Sequence, residues 1–333
     1  MAVGGFGEGH RPRNIGWARA AALLYGDWGT SKAYVLGLAF VVAGFSSMPI
    51  ILAVCALTGL VGINYAVICA YFPDGGGVYS AARSQGRLLA VVGALLLVAD
   101  LTVTAALSGW SALSYFSIPF LKEHIVWSTI GVLVFMGWVN WYGPKHSGGV
   151  AVALSVPTVI VVVILILISI PHLSLHNFSP LHESMGTVWV QFVGAILALS
   201  GVEAIANLTG VMKLDPGSTP EHPKVGKEAT KAIWPVALEV VGGTALLGWA
   251  MLSLPQSLGP EMAKRSDDML RFIAEQFGTQ TIGPLFGHVF GWVVGIVFFL
   301  LLLSAANTAI VAMIGLLYMM ARDEEMPRQF KKL

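Results

Sequence analysis

The sequence predicts an all-α, polytopic transmembrane protein. Of its 333 residues, 56% are hydrophobic and only 11% are charged, whereas a soluble domain carries about a quarter charged residues. Mean hydropathy is +0.76. Eight stretches are long and apolar enough to cross a bilayer, which takes about 20 residues each. A net charge of +1 leaves no basic footprint for nucleic acid.

In chain order the predicted spans are Ala18–Phe45, Ile50–Phe72, Leu88–Phe116, Ile125–Gly143, Gly149–Ile170, Val188–Met212, Ala232–Leu254 and Phe286–Met320. The first, third and last exceed what a bilayer needs, so tilt or a break is expected in each. All belong to one transmembrane domain over 1–333, with helices one to five at about 18–170 and six to eight at about 188–320. Phe72-Pro-Asp-Gly-Gly-Gly-Val-Tyr-Ser80 is glycine-rich but lacks the Gly-Lys-Ser/Thr ending of a phosphate loop, and reads as a turn into a short amphipathic piece. Glu261–Phe277 is amphipathic and is expected to lie on the outer surface.

Lysine and arginine set the orientation. With the N-terminus in the cytoplasm, Lys122, Lys264, Arg265 and Arg271 fall outside, Lys32 lies within the first span, and the rest of the 19 basic residues fall inside. The expected location is the cell membrane, with lipid as the surrounding partner. Cys55 and Cys69 lie 14 positions apart in one apolar stretch, about 21 Å along a helix, too far to pair.

The informative residues are charges inside spans: Asp27, Lys32, Asp100, Glu203 and Glu239. Each costs about 2.5–3.5 kcal/mol at mid-helix on insertion scales and is a functional candidate by default. Asp27 sits in Leu24-Tyr-Gly-Asp-Trp-Gly-Thr-Ser-Lys-Ala33, where glycines, Thr30 and Ser31 interrupt the first span. Glu203 sits in Leu199-Ser-Gly-Val-Glu-Ala-Ile-Ala-Asn207, with Ser200 beside the glycine, inside the sixth. Interrupted helices at corresponding places in two halves point to a transporter's binding site, and spans one and six correspond if the repeat is five helices long. Carboxylates beside freed carbonyls favour a cation. Asp100, Thr104 and Ser108 share a helix face at spacing four. The structural alternatives are an Asp27–Lys32 pair and a packing role for Glu239. No nucleophile–base pair or metal-ligand spacing appears, so an enzyme is not expected.

Tyr25-Gly-Asp-Trp-Gly-Thr-Ser31 followed by Tyr34-Val35 resembles the first-helix signature of KUP-type potassium permeases, and Asp100, Thr104 and Ser108 resemble their third-helix pattern. Pro73–Tyr79, Gly201–Asn207, Ala305-Ala-Asn-Thr308 and Ala321–Pro327 resemble the broader amino acid–polyamine–organocation (APC) superfamily. The resemblance implies a LeuT-type five-plus-five inverted repeat with a midplane site at broken helices one and six. It implies cation handling by Asp27, Tyr34, Thr104, Ser108, Ser200 and Glu203, with Asn307 and Thr308 near an ion site. Lys32 stands where KUP-type proteins have proline, and an ammonium there would neutralise Asp27.

The expected function is secondary transport of a small cationic solute, potassium first, with an amino acid or polyamine permease as the alternative. No cofactor is expected beyond a coupling ion, H+ or Na+, and a homodimer is left open. Eight spans against ten imply that this chain lacks at least helices nine and ten of the full repeat.

Overall fold

In a computed structural model the chain is described over residues 13–141, 147–180, 183–196, 201–327 and 329–330. Among these residues it is helical throughout, with one isolated parallel bridge between Ile15 and Met212 in place of any strand. α1 (Trp17–Trp28) and α2 (Ser31–Ala43) make the first span, and α3 (Met48–Tyr71) returns across the layer. α4 (Gly77–Gln85) is the short amphipathic piece after the glycine loop, and α5 (Arg87–Phe116) crosses again. α6 (Pro119–Glu123), α7 (Ile125–Trp141) and α8 (Ser147–Ser169) follow, then α9 (Met185–Ile196) and α10 (Ala204–Leu208). α11 (Gly226–Ser253), α12 (Gly259–Lys264), α13 (Met269–Thr281) and α14 (Pro284–Arg322) complete the chain.

Six helical stretches are long and apolar enough to cross a membrane: Trp17–Ser46, Met48–Tyr71, Arg87–Phe116, Ala151–His172, Gly226–Ser253 and Pro284–Arg322. The two other predicted spans appear as shorter apolar helices, Ile125–Asn140 and Met185–Ile196. Each runs up to a segment outside the described residues, 142–146 and 197–200 respectively. The expectation of breaks is met only in the first long span. α5 and α14 are continuous, and the 39 residues of α14 reach about 58 Å.

α14 packs along α5 and α11 along α3, while α1 lies between α11, α8 and α14. The larger buried cluster joins Leu36, Ile51, Leu165, Leu247, Phe272 and Phe298; a second surrounds Leu24, Trp28, Ile205 and Ile233. Leu60, Leu96, Val134, Leu167 and Leu238 point outward, which only an apolar solvent rewards. Asp215 caps α11 by accepting the Lys227 and Glu228 amides, both at 3.0 Å.

The amphipathic segment Glu261–Phe277 packs one face on the bundle. Its apolar face is covered by protein: Met269, Leu270, Phe272, Ile273, Ala274 and Phe277 of α13 are buried against α14, α2 and α8, while Glu261, Ala263, Lys264 and Asp267 are exposed. Its other charges are absorbed internally. Arg265 bonds Asp268 and Glu275, and Arg271 bonds Glu275 and the Tyr115 carbonyl. The Ser266 backbone rests on Gly37 of α2, where a Cβ would collide with the Ser266 carbonyl.

At the opposite end of α14, Arg83 bonds Asp323 at 2.7 Å and Glu325 at 3.3 Å, and the Tyr79 hydroxyl bridges the same two carboxylates at 2.9 and 3.0 Å. Burial and these carboxylates push the Tyr79 phenol up to about 12, so it stays a donor through the neutral range. Tyr79→Phe removes that bridge and is expected to lower the thermal unfolding midpoint of detergent-solubilised protein by about 2 °C, the scale of one hydrogen bond.

Candidate functional site

The first span is interrupted by one tightened turn. The Gly29 amide bonds the Tyr25 carbonyl at 2.9 Å, and the Thr30 amide bonds the Asp27 carbonyl at 3.0 Å, shifting the ladder by one residue. The Thr30 hydroxyl also donates to the Asp27 carbonyl, at 2.5 Å, and meets the Tyr34 hydroxyl at 2.6 Å. The sixth span is interrupted more fully. α9 ends at Ile196 and α10 begins at Ala204, with Gly201 between them at φ +101°. The two interruptions touch: a Cβ at Gly201 would lie 2.5 Å from the Trp28 amide and 2.9 Å from the Asp27 carboxyl carbon. Only glycine permits both the left-handed backbone and that approach.

Beside this contact lies a cavity of about 1170 Å³. Its inner wall carries Gly26, Asp27, Glu203 and Asn207; its far wall carries Asn140, Ser304, Asn307 and Thr308 from α7 and α14. Asp74, Gly75, Gly76, Tyr318 and Arg322 line its mouth, and the Asp74 side chain is 77% exposed. Asp27 is 2% exposed, and its Oδ1 has no hydrogen-bond partner among the described residues. Glu203 and Asp100 both lie within electrostatic reach of Asp27. Glu203 Oε2 accepts the Gly201 amide at 3.0 Å.

The remaining predicted residues are distributed around this core. Thr30, Ser31 and Tyr34 are buried behind Asp27 on the α1–α2 turn. Thr104 and Ser108 are buried on α5, with the Ser108 hydroxyl facing Tyr34 without completing a hydrogen bond. Asp100 is half-buried on the same helix. The Thr308 hydroxyl donates to the Ser304 carbonyl at 3.0 Å. Asn307 Oδ1 accepts from Asn140 at 2.7 Å. Ser200 lies outside the described residues.

Two expectations need correction. Lys32 does not pair with Asp27. Its ammonium points away from the cavity to Glu239 at 2.9 Å. The interruption also frees fewer carbonyls than expected, because Thr30 takes that of Asp27 and Lys32 takes that of Gly29.

Sequence reasoning missed Tyr65, Asn140 and Asn207. Tyr65 of α3 is within electrostatic reach of both Glu203 and Asp100. Asn140 carried a readable signal, a carboxamide inside an otherwise apolar span.

Residues 15–333 match the family described as amino acid permease. The chain belongs to that family. It is thus an APC-superfamily protein, as its motifs suggested, and a multi-pass membrane protein. It is 27% identical over 334 residues to the potassium transporter KimA of Bacillus subtilis (strain 168), an alignment covering 94% of the permease and 51% of that relative. The permease therefore spans about half the length of the curated relative it matches.

Proposed function

We propose that the permease carries a small monovalent cation, potassium first, through the cavity beside Asp27 and Glu203. The observation that carries this reading is Asp27, which lines the cavity and whose buried Oδ1 has no partner among the described residues, within reach of a second carboxylate. Buried negative charge left without a protein counter-ion is costly unless a cation supplies one. The Gly201 amide, which would otherwise suit a substrate carboxylate, already donates to Glu203. That argues against a zwitterion as cargo. The potassium transporter among its relatives points the same way.

In this reading α1–α2 and α9–α10 are the corresponding broken helices of a LeuT-type five-plus-five repeat. The mouth at Asp74 and Arg322 faces the cytoplasm, where the basic residues at that end belong. Buried carboxylates can also exchange a proton with the cation, which makes H+ the favoured coupling ion.

A second reading, transport of an amino acid or polyamine, draws on the family's description and on the cavity, whose volume of about 1170 Å³ suits organic solutes. Thermal-shift measurement on purified protein separates the two. A ligand that binds only the folded state stabilises it by about 2.7 kcal/mol at a hundred times its dissociation constant. Potassium chloride is expected to raise the unfolding midpoint where equimolar sodium chloride, free amino acids and putrescine do not. A rise with an amine and none with potassium sinks the potassium reading.

A further inference from the structure

Lys32 is fully buried, yet its three ammonium protons all have acceptors. Nζ lies 2.9 Å from Glu239 Oε2, 2.9 Å from the Gly29 carbonyl and 3.3 Å from the Tyr25 hydroxyl. It also sits 4.9 Å from the centre of the Tyr25 ring. Tyr25 in turn donates to Glu239 Oε1 at 3.1 Å. The arrangement closes a circuit across α1, α2 and α11, and none of its three side chains lines the cavity.

Stability alone does not account for the circuit. Replacing a buried ion pair by apolar residues of similar volume is often neutral or stabilising. What the circuit does hold is the turn that displays Asp27. Tightening of the helix at Thr30 turns the Gly29 carbonyl away from the ordinary ladder, and the Lys32 ammonium takes it. Tyr25, one turn before, accepts the Gly29 amide through its own carbonyl. Gly29 is thus held from both sides, two residues after Asp27.

We propose that Lys32 is a positioning residue: by holding the Gly29 carbonyl, with Glu239 and Tyr25 holding Lys32, it fixes the turn that aims Asp27 into the cavity. This rests on the reading that Asp27 binds the solute. Lys32 sets affinity through backbone geometry and never meets the cargo. Its charge is balanced by Glu239 and does not cancel that of Asp27.

The test is uptake of radioactive rubidium by potassium-depleted cells lacking their own potassium systems, with each variant's surface amount measured. Lys32→Met keeps the apolar stem and removes the bond to Gly29. It is expected to raise KM roughly tenfold, the scale of one lost charged hydrogen bond, with Vmax within about twofold. The double variant Lys32→Met/Glu239→Gln also removes the unbalanced carboxylate and is expected to keep the raised KM. Recovery of the original KM in the double variant would reduce Lys32 to a counter-ion and overturn the proposal. Glu239→Gln alone retains the ammonium–Gly29 bond and is expected to stay within about threefold of the original KM. A roughly tenfold rise in Glu239→Gln overturns the proposal, even if Lys32→Met itself fails to reach the membrane. Loss of uptake in Asp27→Asn with no change in any Lys32 or Glu239 variant leaves the transport reading standing and removes this one.

Discussion

Asp27→Asn is expected to abolish potassium uptake, lowering its rate at least about a hundredfold, while leaving the fold intact. The substitution is nearly isosteric and keeps an oxygen at Oδ1, so the turn with Thr30, made by the Asp27 backbone carbonyl, is untouched. Only the charge is lost. A charge contact made in a buried site is worth about 2–5 kcal/mol when one partner is removed, and about 2.7 kcal/mol is already a hundredfold. The same substitution at the mouth, Asp74→Asn, should alter uptake no more than about twofold, because an exposed charge is screened by water and salt. Thermal unfolding supplies a second readout with the opposite sign. Asp27 lies near Glu203 and Asp100, so neutralising it relieves repulsion, and the variant should unfold at a higher temperature than the parent. Normal uptake by Asp27→Asn would end the cation reading.

Gly201→Val should be the most damaging single substitution at the site. Its φ of +101° lies where a side chain is strained, and its Cβ would lie 2.5 Å from the Trp28 amide. Its neighbours cannot move cheaply, since the Trp28 nitrogen and the Asp27 carbonyl carbon, 2.7 Å away, both belong to backbone at the junction of the two interrupted spans. Strain and overpacking together cost about 3 kcal/mol or more. Most of the protein should then fail to reach the membrane, and what arrives should not transport. Gly217→Val is the matched control. Gly217 also has a positive φ, +85°, but a Cβ there would meet nothing within 4 Å, so only the conformational cost of about 1 kcal/mol applies. Surface amount and thermal midpoint of the two variants decide the point. Equal losses would mean that the contact between the spans contributes nothing.

Much of this architecture was legible because a bilayer makes hydropathy a structural constraint. The predicted ends of the first span, Ala18 and Phe45, stand one residue from the observed Trp17 and Ser46, and Leu88 stands one from Arg87. The interruption at Asp27 and the one before Ala204 were legible for the same reason: glycine and ionisable groups have no cause to sit together at membrane depth unless something there uses them. Pairings across the bundle were not. Lys32 and Asp27 are five positions apart, and sequence proximity suggested a pair. Nothing local announces that Glu239, on a helix more than two hundred positions away, offers the better acceptor. What covers the amphipathic segment Glu261–Phe277 was not legible either. Amphipathicity shows that Phe272 and Phe277 share an apolar face. It cannot say whether lipid or α14 covers that face, and the charges that argued for water are met by Asp268 and Glu275 instead.

The seat of Ser266 on Gly37 gives the two faces of the protein unequal access. A blocker added on the side of α12 and α13 meets the closely packed Ser266 turn, held by Trp110 to Asp267 and by Arg265 to Asp268. At the other end the cavity lined by Asp27 is also lined by the exposed Asp74. Pharmacology on this protein should therefore be sided: potency measured from one compartment is expected to differ from potency measured from the other.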